Sequence, residues 1–115
     1  MKPRFALGSA EADVFRQQTL KLFLLRAETL GWVTQRGWCH ASCKKQAMAW
    51  WAGVRGVQEA TGLKLFDDDF FSRLSTIDPI KTARGLHVEL CARNRHRKAW
   101  APLCDEPKGR EGWMA

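Results

Sequence analysis

The sequence has no tyrosine, so aromatic contact area falls to six tryptophans and six phenylalanines. It also lacks any apolar run approaching the ~20 residues that a membrane-crossing helix needs. Its longest stretch of large apolar residues is Leu22-Phe23-Leu24-Leu25, which excludes a helical membrane span. The opening MKPRFALGSAEAD has no apolar stretch of secretory length and meets Glu11 and Asp13 early, so a secretory signal is not expected there. Internal repeats and low-complexity tracts are missing too, which removes the solenoid and disordered classes. What remains, 45% hydrophobic and 27% charged residues over 115 positions, suits a single domain with one core. Residues 1–104 are expected to form that domain. Residues 105–115, with Pro107, Gly109 and Gly112, read as a tail that Trp113 pins down.

Charge is the most informative bulk property. Nineteen Lys and Arg against twelve Asp and Glu leave a net +7, which favours polyanions: nucleic acid, an anionic membrane surface or an acidic protein. Four cysteines without a secretory signal point to free thiols in the cytoplasm or another reducing compartment.

Periodicity predicts a helix over 11–30. At ~100° per residue, Phe15, Leu20, Leu22, Phe23, Leu24, Ala27 and Leu30 share one broad side, as in a helix packed on two sides, and Gly31 stops it. A second helix is predicted over 41–60. Cys43, Ala47, Trp50, Trp51, Val54 and Val57 form its apolar stripe, and Lys44, Lys45, Met48 and Arg55 lie opposite. Gly53 and Gly56 weaken it, and Gly62 closes it. Leu63-Lys64-Leu65-Phe66 reads as a short strand, followed by a short helix behind an Asp N-cap at 67–69. Asp78-Pro79 marks a turn. Over 85–103, Leu86, Val88 and Leu90 alternate with His87 and Glu89, and Arg93-Asn94-Arg95 turns the chain, which together predict a β-hairpin. A helix is the rival reading of that segment, because Glu89 and Arg93 stand at i, i+4. The expected fold is thus a helix-rich α+β domain with two longer helices, one short helix and a C-terminal β-hairpin.

Three kinds of site fit the residue pattern. Cys39 and Cys43, like His87 and Cys91, stand at i, i+4, so two helices would offer four zinc ligands. A strand at 86–92 would instead hold His87 and Cys91 ~13 Å apart, too far to share an ion. Burial as small hydrophobes is the plainer role for these cysteines. A cysteine opening a helix at Cys39 or Cys43, followed by His87 on a strand and then Asn94 or His96, has an order similar to that of papain-like peptidases and small cell-wall amidases. No local signature of either family surrounds the two cysteines, and no kinship follows. Asp67 to Asp69 read as helix caps rather than magnesium ligands.

The third site is basic. Arg84, Arg93, Arg95, His96, Arg97 and Lys98 lead to Trp100, with Lys44, Lys45 and Arg55 as a second basic surface. Guanidinium groups pair with phosphates, and tryptophan offers a face to an unpaired base. A helix-turn-helix register fails because Glu59 falls where a recognition helix buries an apolar side chain, so backbone or single-strand contacts are expected. The sequence therefore predicts a small, basic, non-enzymatic protein without cofactor or catalytic residues. Its expected partner is RNA, single-stranded DNA or a nucleoprotein complex. An interaction subunit docking on an acidic partner through Trp32, Trp38 or Trp113, and a Cys/His hydrolase or transferase, are the alternatives.

Overall fold

A computed structural model of the chain describes residues 10–34 and 36–104. Helix α1 spans Ala10–Thr29, and a minimal antiparallel hairpin follows, β1 at Val33–Thr34 paired with β2 at Gly37–Trp38. Next come α2 at Ala41–Thr61, α3 at Asp68–Thr76 and α4 at Pro79–Arg93; a 3-10 turn at Lys98–Trp100 leads into α5 at Ala101–Cys104. Helix accounts for 77% of the described residues, so the fold is a mostly helical small domain and not α+β.

The predicted C-terminal hairpin is where the correction falls. Asp78 is not a turn residue but the N-cap of α4: its carboxylate accepts from the N–H groups of Ile80 and Lys81 at 2.8 and 3.2 Å, with Pro79 preset at the first helical position. From there Ala83, His87 and Leu90 bury one helical face, while Val88 stays 58% exposed. Leu86 and Leu90 stand one helical turn apart, and Val88 completes the alternation only by coincidence, on the opposite face. The i, i+4 pair of Glu89 and Arg93 does form, at 3.9 Å.

Leu63 to Phe66 is not a strand either. Its backbone is satisfied by side chains: Gln58 Oε1 accepts from the N–H groups of Leu65 and Phe66 at 2.8 and 2.6 Å, and Arg16 Nε donates to the Leu65 carbonyl at 2.5 Å. No ladder is then needed to keep these groups paired.

Helix ends follow local chemistry. Gly31, at φ +66°, lets the Trp32 N–H reach back to the Ala27 carbonyl at 2.9 Å and close α1. Gly62, at φ +74°, closes α2 in the same left-handed conformation. Helix α2 runs unbroken through Gly53 and Gly56. Asp67 caps α3 by accepting from Phe70 N–H at 2.9 Å.

The core is aromatic at its centre. Phe23 meets Trp32, Trp50 and Trp51 at ring separations of 5.9, 5.2 and 5.1 Å, and Trp51 meets Phe66 and Phe70 edge-on at 5.2 and 5.1 Å. On α1 Leu20, Phe23, Leu24 and Ala27 are buried, whereas Phe15, Leu22 and Leu25, and Leu30 just after the helix, are exposed. Val57, expected on the buried stripe of α2, is exposed as well.

Helices α1 and α4 run antiparallel. The start of α1 meets the end of α4 through Asp13, Arg93 and Asn94, and the hairpin after α1 meets the start of α4 through Trp38 Nε1, which donates to Asp78 Oδ2 at 2.7 Å. Trp32 Nε1 donates to Gln46 Oε1 at 3.1 Å and ties the end of α1 to the beginning of α2. The molecule thus has two ends, separated by the ~22 Å length of α4.

Candidate nucleic-acid interface

The basic segment begins where α4 ends, and a buried carboxylate fixes that end. Asp13 lies on the same face of α1 as Gln17, Leu20 and Leu24, all enclosed by the core. Its carboxylate accepts from Arg16 Nη1 at 2.7 Å, from Arg93 Nη2 and Nε at 2.8 and 3.1 Å, and from Asn94 Nδ2 at 3.0 Å. Burial pushes the Asp13 carboxyl pKa up, but the hydrogen bonds from Asn94 and Arg93 and the charges of Arg93 and Arg16 outweigh it, so the net shift is downward. Asp13 is therefore a charged hub, paired on every side.

Asn94 is also the C-cap of α4. Its N–H and its Nδ2 both donate to the Leu90 carbonyl at 3.0 Å. From this anchor the chain turns, with Arg97 N–H on the Asn94 carbonyl at 2.9 Å and Trp100 N–H on the Arg97 carbonyl at 3.0 Å. Arg95, His96, Arg97 and Lys98 are all exposed between the two anchors, and no carboxylate of the described residues lies within ion-pair distance of them.

The other residues of the predicted surface are placed differently. Arg93 spends its guanidinium fork on Asp13, so it positions the turn rather than facing outward alone. Trp100 is 2% exposed and belongs to the core, leaving no ring face for a base. Arg55 pairs with Asp68 at 3.3 Å and Glu59 at 3.9 Å and lies over the Phe71 ring. Arg84 is half-buried midway along α4. Lys44 and Lys45 are exposed in the first turns of α2, at the opposite end of the molecule, just after exposed His40. Of the ten predicted residues, the structure gathers four into one free basic turn and sets two apart.

The cysteines divide. Cys39 and Cys43 are free thiols at the start of α2, whereas Cys91 and Cys104 stand at disulfide distance. His87 Nδ1 approaches Cys91 Sγ at 3.9 Å, so α4 brings the histidine to the cysteine of its own helix. No three His, Cys, Asp or Glu side chains among the described residues converge to hold a metal ion. Asp67 is engaged as a cap, Asp68 with Arg55 and Asp69 with Arg73 at 2.9 Å. A groove of about 590 Å³ lies between α3 and α4, floored by Phe66, Phe70 and Leu86. Its rim mixes Arg73 and Lys81 with Asp69 and Glu89, so it offers no track to a polyanion.

Sequence reasoning missed Asp13 and Gln17, and it read Asn94 as a hairpin turn or a partner of His87 rather than as the cap of a helix. The signal was present for the first two: a carboxylate and an amide stand at i and i+4 on the helix face that Leu20 and Leu24 bury, and polar groups so placed need buried partners. Asn94 carried a weaker one, as a residue type suited to helix ends. No protein-family model matches the chain, and neither a curated protein nor a solved structure matches it.

Proposed function

We propose that the chain is a small, basic, non-enzymatic protein that binds RNA, single-stranded DNA or a nucleoprotein assembly through phosphate contacts. Arg95, Arg97 and Lys98 neutralise the phosphates and His96 adds a further donor; Lys44 and Lys45 give a separate second contact. The observation that carries this reading is the turn at 95–98: four consecutive basic side chains, exposed, free of carboxylate partners among the described residues, and held between Asn94 and Trp100. Holding a cationic turn in place lowers the ordering cost of binding a flexible strand. With Trp100 in the core, base stacking drops out and backbone charge is left as the source of affinity. A reducing compartment such as the cytoplasm belongs to the same reading; the free thiols of Cys39 and Cys43 favour it, and the Cys91–Cys104 pair at disulfide distance weighs against it.

Fluorescence anisotropy with short labelled RNA and DNA oligonucleotides tests it. Binding at low salt is expected to weaken with a log–log slope of about −2, as three phosphate contacts on a single strand require. Arg95→Glu with Arg97→Glu should lower affinity by at least roughly tenfold. Absence of binding at low salt, or indifference to the double charge reversal, overturns the proposal.

A second reading, docking on an acidic protein, is favoured by the exposed leucines of α1. Leu22 and Leu25 are 54% and 48% exposed, apolar side chains of the kind that partners cover. Trp32 is buried, Trp38 is half-buried and Trp113 lies outside the described residues, so the contact would run through the leucines. Native mass spectrometry separates the readings. A protein complex that survives nuclease and is lost in Leu22→Lys supports docking, and an oligonucleotide removed by nuclease supports the first.

A further inference from the structure

Beneath the basic turn lies a site that phosphate binding does not use. Cys91 Sγ of α4 faces Cys104 Sγ of α5 at disulfide distance. Gln17, fully buried on α1, donates from Nε2 to Cys91 Sγ at 3.0 Å and to the Leu103 carbonyl at 3.0 Å. His87, also buried, brings Nδ1 to 3.9 Å from the same sulfur. Two polar groups from two helices thus converge on one sulfur of the pair. Cys104 sits in the last turn of α5, half-buried, with no such donor among the described residues.

An N–H directed at sulfur stabilises a thiolate more than a thiol or a disulfide, because only the thiolate carries full negative charge. The two sulfurs are therefore inequivalent leaving groups, and Cys91 is the better one. We propose that Cys91 and Cys104 form a thiol–disulfide exchange site for low-molecular-weight thiols and disulfides of the glutathione class, with Cys104 the sulfur that is attacked and Cys91 the sulfur that leaves.

An incoming thiolate attacks Cys104 Sγ; a bond forms between the two, the bond from Cys104 to Cys91 breaks, and its electron pair stays on Cys91 Sγ beside Gln17 Nε2. A second small thiolate attacks the small-thiol sulfur of the adduct, yielding a small disulfide and a Cys104 thiolate. Two electrons pass from two small thiols to the protein pair, and the reverse reaction uses the small disulfide as oxidant.

Position gives the exchange a consequence. The pair closes a loop of 13-residue separation that contains the whole basic turn at 95–98. Oxidation holds that turn between α4 and α5; reduction removes one of its two ends from covalent restraint. Its bearing on nucleic-acid binding rests on the reading given under Proposed function.

The test uses the full chain, reduced glutathione as the attacking thiol and oxidised glutathione as the oxidant. Acid quenching during reduction, alkylation and peptide mass spectrometry should locate the glutathione adduct on Cys104, with Cys91 alkylated. An adduct on Cys91, an even distribution, or a pair that neither forms nor opens across the glutathione couple overturns the proposal. Gln17→Met, which keeps the side-chain volume and deletes the donor, should slow opening roughly tenfold if it folds; the adduct position in the unmodified chain decides the matter if it does not. Trypsin cleavage after Arg95, Arg97 and Lys98 should quicken several-fold on reduction. If exchange and cleavage follow this course while neither redox form binds an oligonucleotide, the exchange site stands and the nucleic-acid reading fails.

Discussion

The two ends of the molecule use the same vocabulary of cysteine, histidine and basic residues to opposite effect. Where α1 begins and α4 ends, Asp13, Gln17, His87 and Cys91 are drawn inward, and side chains from two or three helices meet at each polar atom. Where α2 begins, Cys39, His40, Lys44 and Lys45 are exposed, and His40 occupies the N-cap without a capping hydrogen bond from its side chain. Residue type therefore says little about role in this chain. What decides is whether a second helix arrives to supply partners and exclude water.

The comparison breaks most severely at Asp13. Asp13→Ala removes the buried carboxylate that Arg16, Arg93 and Asn94 share, and chemical denaturation should show a loss of about 3–5 kcal/mol. Acid tests the same hub. Because the Asp13 pKa in the folded chain lies below its ordinary 3.8, the stability it contributes is fully present above that value and is lost as pH falls through the folded one. In Asp13→Asn this acid-dependent loss should disappear, leaving a flatter profile below pH ~4.

The covalent tie ranks next. Cys104→Ser opens the 13-residue loop, and thermal unfolding under oxidising conditions should register about 3 kcal/mol of destabilisation. At the other end single changes should cost less. Trp38→Phe removes the indole donor to Asp78 but leaves Asp78 capping α4, for a loss of about 1 kcal/mol in the same assay. The smallest effect has the opposite sign: His40→Asp supplies the cap that α2 lacks and adds negative charge at a helix start, so a gain of roughly 0.5–1 kcal/mol is expected.

Legibility in the sequence followed how local each determinant was. Helices α1, α2 and α3 were readable to within a residue or two because Gly31, Gly62 and Asp67 act on their own neighbourhoods. Helix α4 was misread as a hairpin because Leu86, Val88 and Leu90 alternate over five residues although Val88 faces away from the core, and the deciding cap at Asp78 lay seven residues upstream, where Asp-Pro also signals a turn. The true strands at 33–34 and 37–38 are too short to leave an alternating pattern. The basic turn at 95–98 was visible as a cluster of charge. Its partition was not, since the inward turn of Arg93 depends on Asp13, 80 positions away, and the burial of Trp100 depends on how the 3-10 turn folds back. Likewise, nothing local to Cys91 announces Cys104 or Gln17.

The long reach of the Asp13 hub sets a timetable for the nascent chain. The groups that neutralise and enclose the start of α1 stand 80 to 86 positions downstream, at Arg93, Asn94 and Leu103. Ribosomes add roughly 5–20 residues per second, so α1 waits on the order of 4–16 s for them after its own synthesis. During that interval the face of α1 that packs on α4 and α5 lacks those helices and the Asp13 carboxylate lacks Arg93 and Asn94, whereas Trp50 and Trp51 of α2 reach Phe23 earlier. The acidic start of α1 is thus the part of the core that is completed last.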